Sequence, residues 1–214
     1  MVLKVAARGQ VPPFIVMDVM RAANEREAAG GDVLHLEVGQ PGTAAPDGVL
    51  AAARAALDSH LIGYTDAMGM PTLRRRIAAH YAEWYGCEVD PRRIMVTTGS
   101  SAGFLLAFLA AFDAGDRVAL AAPGYPAYRN ILAALGVEPL LLPAEAEHRF
   151  QPTPELLDRL PAPPDGLIVA SPSNPAGTMV GRWSTTAVPR VSVSSPTRSI
   201  TASASSSPAS APWN

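Results

Sequence analysis

Apolar runs of strand length alternate with amphipathic runs of helical length from residue 14 to residue 170, and this restricts the chain to a layered α/β arrangement. The spacing predicts helices over 14–29, 47–58, 71–85, 102–112, 126–135 and 154–160. It predicts strands over 33–38, 94–98, 118–122, 137–142 and 167–170. Pro71 suits a first helical turn, and Gly30-Gly31 and Asp113-Ala114-Gly115-Asp116 read as helix stops. Strands separated by helices pair in parallel, so the expectation is a largely parallel sheet covered by helices. The chain carries no internal repeat.

The alternation stops near residue 181. Residues 1–180 hold all 19 acidic residues and 20 leucines but only five serines. Residues 181–214 hold ten serines, four prolines and three arginines, with no acid, lysine or leucine. So little apolar surface does not offset the entropy of ordering a chain, and the tail is expected to be disordered.

Composition narrows the function. With 48% hydrophobic residues in 214, the chain can bury a sizeable core. A net charge of -2 offers no basic surplus for nucleic acid. No apolar run reaches spanning length, and residues 1–30 lack the apolar centre of a signal peptide, so a soluble, cytoplasmic protein without membrane partners is expected. Cys87 is the only cysteine, which excludes an internal disulfide and a cysteine-based metal cluster. The four histidines show no ligand spacing, and no metal site is expected. Lys4 is the only lysine, so chemistry needing a lysine in the body of the fold is excluded for the chain as written.

Three strand ends could carry chemistry. Gly99-Ser100-Ser101 opens a helix after a strand, presenting backbone N–H groups and two hydroxyls at the positive end of a helix dipole, which suits a phosphate; an ordinary capped helix has the same look. Tyr125 follows Pro123-Gly124 at the next strand end, where an aromatic can stack on a flat ring or simply pack on the sheet. Asn174 lies between Pro172 and Pro175, past a third strand, where its amide can donate to a ligand oxygen or serve a plain turn. Gly39 and Tyr64 stand in turn-rich stretches, and Arg74-Arg75-Arg76 reads as a solvated helix face with one arginine paired to an acid.

Taken in order, these stretches resemble the class I/II aminotransferases, pyridoxal 5'-phosphate (PLP) enzymes of fold type I. The matching strings are VLHLEVGQP at 33–41, IGYTDAMGMPTLRRRIAAHY at 62–81, IMVTTGSSAGFLLAF at 94–108, VALAAPGYPAY at 118–128 and SPSNPAGT at 171–178. The resemblance implies an α/β/α sandwich, the PLP-dependent transferase-like large domain, incomplete here. It divides the chain into an N-terminal arm and small-domain segment (1–45), a partial PLP-binding large domain (46–180) and an aberrant tail (181–214). It implies that Gly39 faces the substrate carboxylate, that Tyr64 reaches the cofactor phosphate of a partner subunit in a homodimer, and that Ser100 and Ser101 cradle the phosphate. It implies that Tyr125 stacks on the pyridine ring and that Asn174 hydrogen-bonds the ring's phenolic oxygen. The substrates implied are an amino acid and a 2-oxo acid.

The family also uses a Schiff-base lysine, an aspartate at the pyridine nitrogen and an arginine for the substrate carboxylate, all after the asparagine loop. No lysine or aspartate follows Thr178 here. The chain as written is therefore expected to lack activity, and its sheet to expose an unpaired edge. Read in a displaced frame, the codons of residues 196–203 permit Asp-Glu-Ile-Tyr-His-Gly-Ile, which resembles the family's next motif; a frameshift is the expected origin of the tail. The alternatives are a fold-type I lyase and a non-catalytic PLP-binding or interaction fragment.

Overall fold

The computed structural model describes residues 4–59, 62–180, 190–194 and 199–203. The chain forms two compact units: Met1–Phe14 with Thr98–Asn214, and Ile15–Thr97.

The first unit is built on a five-stranded sheet. Its strands are β1 (Arg117–Ala122), β2 (Glu138–Pro143), β3 (Gly166–Ser171), β4 (Arg190–Ser194) and β5 (Ser199–Ser203), in the order β2-β1-β3-β4-β5. All neighbours are parallel except β4 and β5. Val118 stands opposite Pro139 on one side and Gly166 on the other.

Strand alternation sends side chains to two cores. Val118 and Leu120 of β1 and Ile168 of β3 face one side. There Phe104, Phe108 and Phe112 meet them, with Tyr128 and Leu132 of helix α5 (Pro126–Leu135). Phe104 and Phe108 belong to helix α4 (Ser100–Ala111) and share a face at i, i+4 spacing. The ring of Tyr128 meets Phe104 edge-on at 4.8 Å. Ala119 and Leu167 face the other side, against Leu142 of β2 and Leu156 of the short helix α6 (Pro154–Asp158). Burying Phe108 completely contributes about 1.5–3 kcal/mol. Helix α4 is apolar beyond this stripe, and Leu105, Leu106 and Leu109 on its other faces are exposed.

The second unit holds helices α1 (Ile15–Ala28), α2 (Asp47–Ser59) and α3 (Pro71–Tyr85). Helix α3 begins on Pro71 and ends at Gly86, whose φ of 60° closes it in the left-handed conformation. Gly69 must be glycine on two grounds: its φ is 92°, and an added Cβ would stand 2.7 Å from Cβ of Val96.

Three expectations are corrected. Residues 33–38 and 94–98 are irregular, not strands. A strand exists only beside a partner, and among the described residues none pairs with either segment. Leu34 and Leu36 are accordingly 84% and 91% exposed, and Val96 N–H donates to the Met68 carbonyl at 3.0 Å. Third, the tail expected to be disordered contributes β4 and β5. The β-branched residues Val191, Val193, Ile200 and Thr201 favour extended backbone, and the edge of β3 offers unpaired groups to bond. The edge of β3 is thus paired, and the sheet ends on β2 and β5 instead. The rest of the tail expected to be disordered, at 181–189, 195–198 and 204–214, lies outside the described residues.

Candidate active site

Helix α4 starts at Ser100 after Gly99, whose φ of 81° and ψ of 169° are open only to glycine. The N-cap residue makes no side-chain cap bond, and no acid lies in the first turn. The first-turn N–H groups have no intrahelical acceptor, so the end presents donors and positive potential together. An added Cβ on Gly99 would meet nothing within 4 Å, so the approach is open. Ser100 is half-buried and Ser101 exposed. Ser100 shares its helical face with Phe104.

Tyr125 sits between β1 and α5, half-buried, at the N-cap of α5 but with no side-chain cap bond. Its ring is held edge-on by Phe14 at 6.0 Å and Tyr128 at 5.4 Å. The packing reading of Tyr125 is thus met, at a position just past the end of β1.

Asn174 is exposed at the tip of the loop after β3, the strand adjacent to β1. The loop closes on itself: Ser173 N–H donates to the Thr178 carbonyl at 2.9 Å, and Gly177 N–H donates to the Ser173 carbonyl at 2.8 Å. Beneath it lies Gln151, only 4% exposed. Its amide donates to the carbonyls of Ala170 at 3.1 Å and Thr178 at 2.7 Å, the two ends of the loop. The Thr178 hydroxyl donates to the Arg149 carbonyl at 2.5 Å. Arg149 and Phe150 both carry positive φ, 54° and 55°, a conformation that costs non-glycine residues about 1–2 kcal/mol each. A cavity of about 20 Å³, room for one water, lies between the sheet and this loop, lined by Leu120, Gly124, Tyr128, Gln151, Ile168 and Asn174.

The sheet thus brings Tyr125 and Asn174 past the ends of neighbouring parallel strands, with α4 packed on the core through Phe104 and Phe108. Gly39 and Tyr64 belong to the other unit, and both are exposed. Arg74 departs from the solvated-face reading. Its side chain is turned in, donating to the Pro91 carbonyl at 3.3 Å and lying 3.9 Å from Asp66, while Arg76 pairs with Glu83 on the surface. His35, assigned no role, lies 2.7 Å from Glu37 and 3.6 Å from Glu27. The Glu37 hydrogen bond, helped by the Glu27 charge, raises the imidazole above its ordinary range, and the same bond lowers Glu37. Among the described residues no group of histidine, cysteine and carboxylate side chains could hold a metal, and no helix is long and apolar enough to cross a membrane.

Residues 31–188 match the model of the family described as aminotransferase class I and II. The chain belongs to this family. It is 54% identical over 177 residues to the valine–pyruvate aminotransferase of Mycobacterium tuberculosis, covering 83% of this chain and 46% of that protein. It is 32% identical over 169 residues to the (5-formylfuran-3-yl)methyl phosphate transaminase of Methanocaldococcus jannaschii, covering 79% and 44%. Among solved structures, an aminotransferase from Mycobacterium tuberculosis superposes with a TM-score of 0.79 at 54% identity, covering 84% of this chain and 46% of that one. Aspartate aminotransferase from Thermus thermophilus with maleate superposes at 0.75 and 29% identity, covering 81% and 46%. The sheet unit is therefore part of the fold-type I large domain, and the chain spans about half the length of the relatives it matches.

The family's usual cofactor can be weighed against these residues. A helix start with glycine at its N-cap and no acid in its first turn suits a phosphate, and an aromatic and an amide at adjacent strand ends suit a polar heteroaromatic ring. These non-covalent contacts fit. A covalent amine anchor does not come from the sheet unit's body: Lys4, the only lysine, is exposed in the N-terminal segment. Gln151 escaped the sequence reading. A glutamine in a connecting loop carries no motif, and only its burial reveals it.

Proposed function

We propose that the protein is a PLP-dependent aminotransferase, passing an amino group between an amino acid and a 2-oxo acid, of which this chain supplies the non-covalent half of the cofactor site. The observation that carries the reading is the position of Tyr125 and Asn174 past the ends of adjacent parallel strands, beside the core that Phe104 and Phe108 of α4 enter. PLP, when bound, supplies the electron sink that lets the substrate's Cα–H bond break. Ser100, Ser101 and the N–H groups of the first turn would hold the phosphate. Tyr125 would lie against the ring, and Asn174 would donate to its phenolic oxygen. Gly39 would face the substrate carboxylate, and Tyr64 would reach the phosphate of a partner subunit in a cytoplasmic homodimer. The relative's name makes valine and pyruvate the first substrate pair to assay.

The chain as written lacks a lysine to move the proton, so we infer that it binds the cofactor without completing the transfer. That favours, for this chain alone, the reading of a non-catalytic PLP-binding fragment. The tail then reads as a displaced frame, which sequencing the coding DNA past its stop checks directly.

Titration of the chain with PLP tests the site. Saturable binding is expected, weakened about tenfold or more in Asn174→Ala, the order of one hydrogen bond to a charged group. Equal affinity of the variant would sink the assignment of Asn174.

A further inference from the structure

We infer that Gln151 is a positioning residue for the Asn174 loop, holding its tip in the geometry that receives the cofactor. This rests on the reading of Asn174 above and extends it to a residue outside the family-like strings.

A buried polar group is retained where it is hydrogen-bonded, and Gln151 spends its amide on the loop. Its Nε2 donates to the Ala170 carbonyl, where β3 ends, and to the Thr178 carbonyl, where the loop closes. The Thr178 carbonyl also accepts from Ser173 N–H, next to Asn174. One buried carboxamide therefore fixes the separation of the loop's two ends and the bond behind its tip. The backbone is bent to place it: Arg149 and Phe150 take up positive φ immediately before Gln151, and the Arg149 carbonyl accepts from the Thr178 hydroxyl. Such strain persists where surrounding contacts over-determine it. Asn174 itself is exposed, so its aim depends on the loop beneath.

The test is a double-mutant cycle on the full chain with PLP as the probe. Gln151→Met keeps the bulk and removes the donor; it is expected to weaken PLP about fivefold to tenfold. In the Asn174→Ala background the same change is expected to have an effect within about twofold, because its route to the cofactor is gone. The side-chain amide NMR signals of Asn174 are expected to move on PLP addition in the parent chain and not in Gln151→Met. Amide protection at Val118 and Leu120 serves as the control for an intact sheet. If Gln151→Met loses that protection, Gln151→Asn, too short to reach both carbonyls, takes its place. Equal losses in both backgrounds, or no loss in the single variant while Asn174→Ala weakens binding, overturn the inference. No loss in Asn174→Ala instead overturns the underlying site reading, and the inference with it.

Discussion

Gly166 of β3 lies directly beneath the ring of Phe112: an added Cβ would stand 2.2 Å from Cε1 and 2.6 Å from Cζ. Gly166 is paired to Val118 in the sheet and Phe112 packs in the aromatic row at the end of α4, so the clash must displace packed groups. Gly166→Ala is expected to destabilise the chain by about 1–3 kcal/mol, as over-packing does. Denaturant unfolding measures it. Phe112→Leu in the same chain is expected to recover part of the loss; a Gly166→Ala chain as stable as the parent would contradict the contact.

The aromatic row also sets the cost of removing a ring. Phe108→Ala is expected to cost about 3–5 kcal/mol, since Phe108 is fully buried between the sheet and its neighbours. Leu109→Ala on the exposed face of the same helix is expected to cost less than about 0.5 kcal/mol. Similar losses for the two would mean that the helix is rotated from the orientation described.

Gly99→Ala separates backbone geometry from side-chain chemistry at the start of α4. The added methyl meets no neighbour, so the penalty is conformational, about 1–3 kcal/mol. Affinity for PLP is expected to fall, because the first-turn N–H groups are re-aimed. Calorimetry with PLP and unfolding with denaturant report the two effects separately, and unchanged affinity would detach the turn from the phosphate.

Tyr125→Phe is expected to retain PLP affinity and Tyr125→Ala to weaken it by about 0.5–1.5 kcal/mol, the worth of an aromatic pair. Weakening by both substitutions to the same extent would assign the contribution to the hydroxyl instead of the ring.

His35 introduces a pH dependence in the other unit. Its pKa is raised chiefly by the Glu37 hydrogen bond, so the stability it contributes is fully present below the ordinary imidazole value of 6.5 and is lost as pH rises through the raised one. Glu37 is lowered by the same bond, so its contribution is present above the ordinary carboxylate value and lost as pH falls through the lowered one. Amide protection factors near residues 27–38 are expected to peak in mild acid and decline towards alkaline pH. His35→Gln is expected to flatten that profile; a variant with the parent's profile would show that the pair does not order the segment.

Element types were legible where the pattern was local. The helices at 71–85 and 126–135 appear at the residues expected, because Pro at the first turn and glycine past the last fix both ends by backbone chemistry alone. The segments at 33–38 and 94–98 carry the same apolar signal as β1 but no ladder, because pairing depends on a neighbour that lies elsewhere in the chain.

The sequence by itself determined the alternating α/β order, the apolar faces, the family resemblance and the absence of any lysine but Lys4, since each is a matter of local spacing or composition. The tertiary structure alone decided which strand ends adjoin, that Val191 and Ile200 lie in paired strands, that Arg74 turns inward, and that Gln151 is buried beneath Asn174. These are contacts between residues far apart in the chain, set by packing and hydrogen-bond satisfaction that no local pattern encodes.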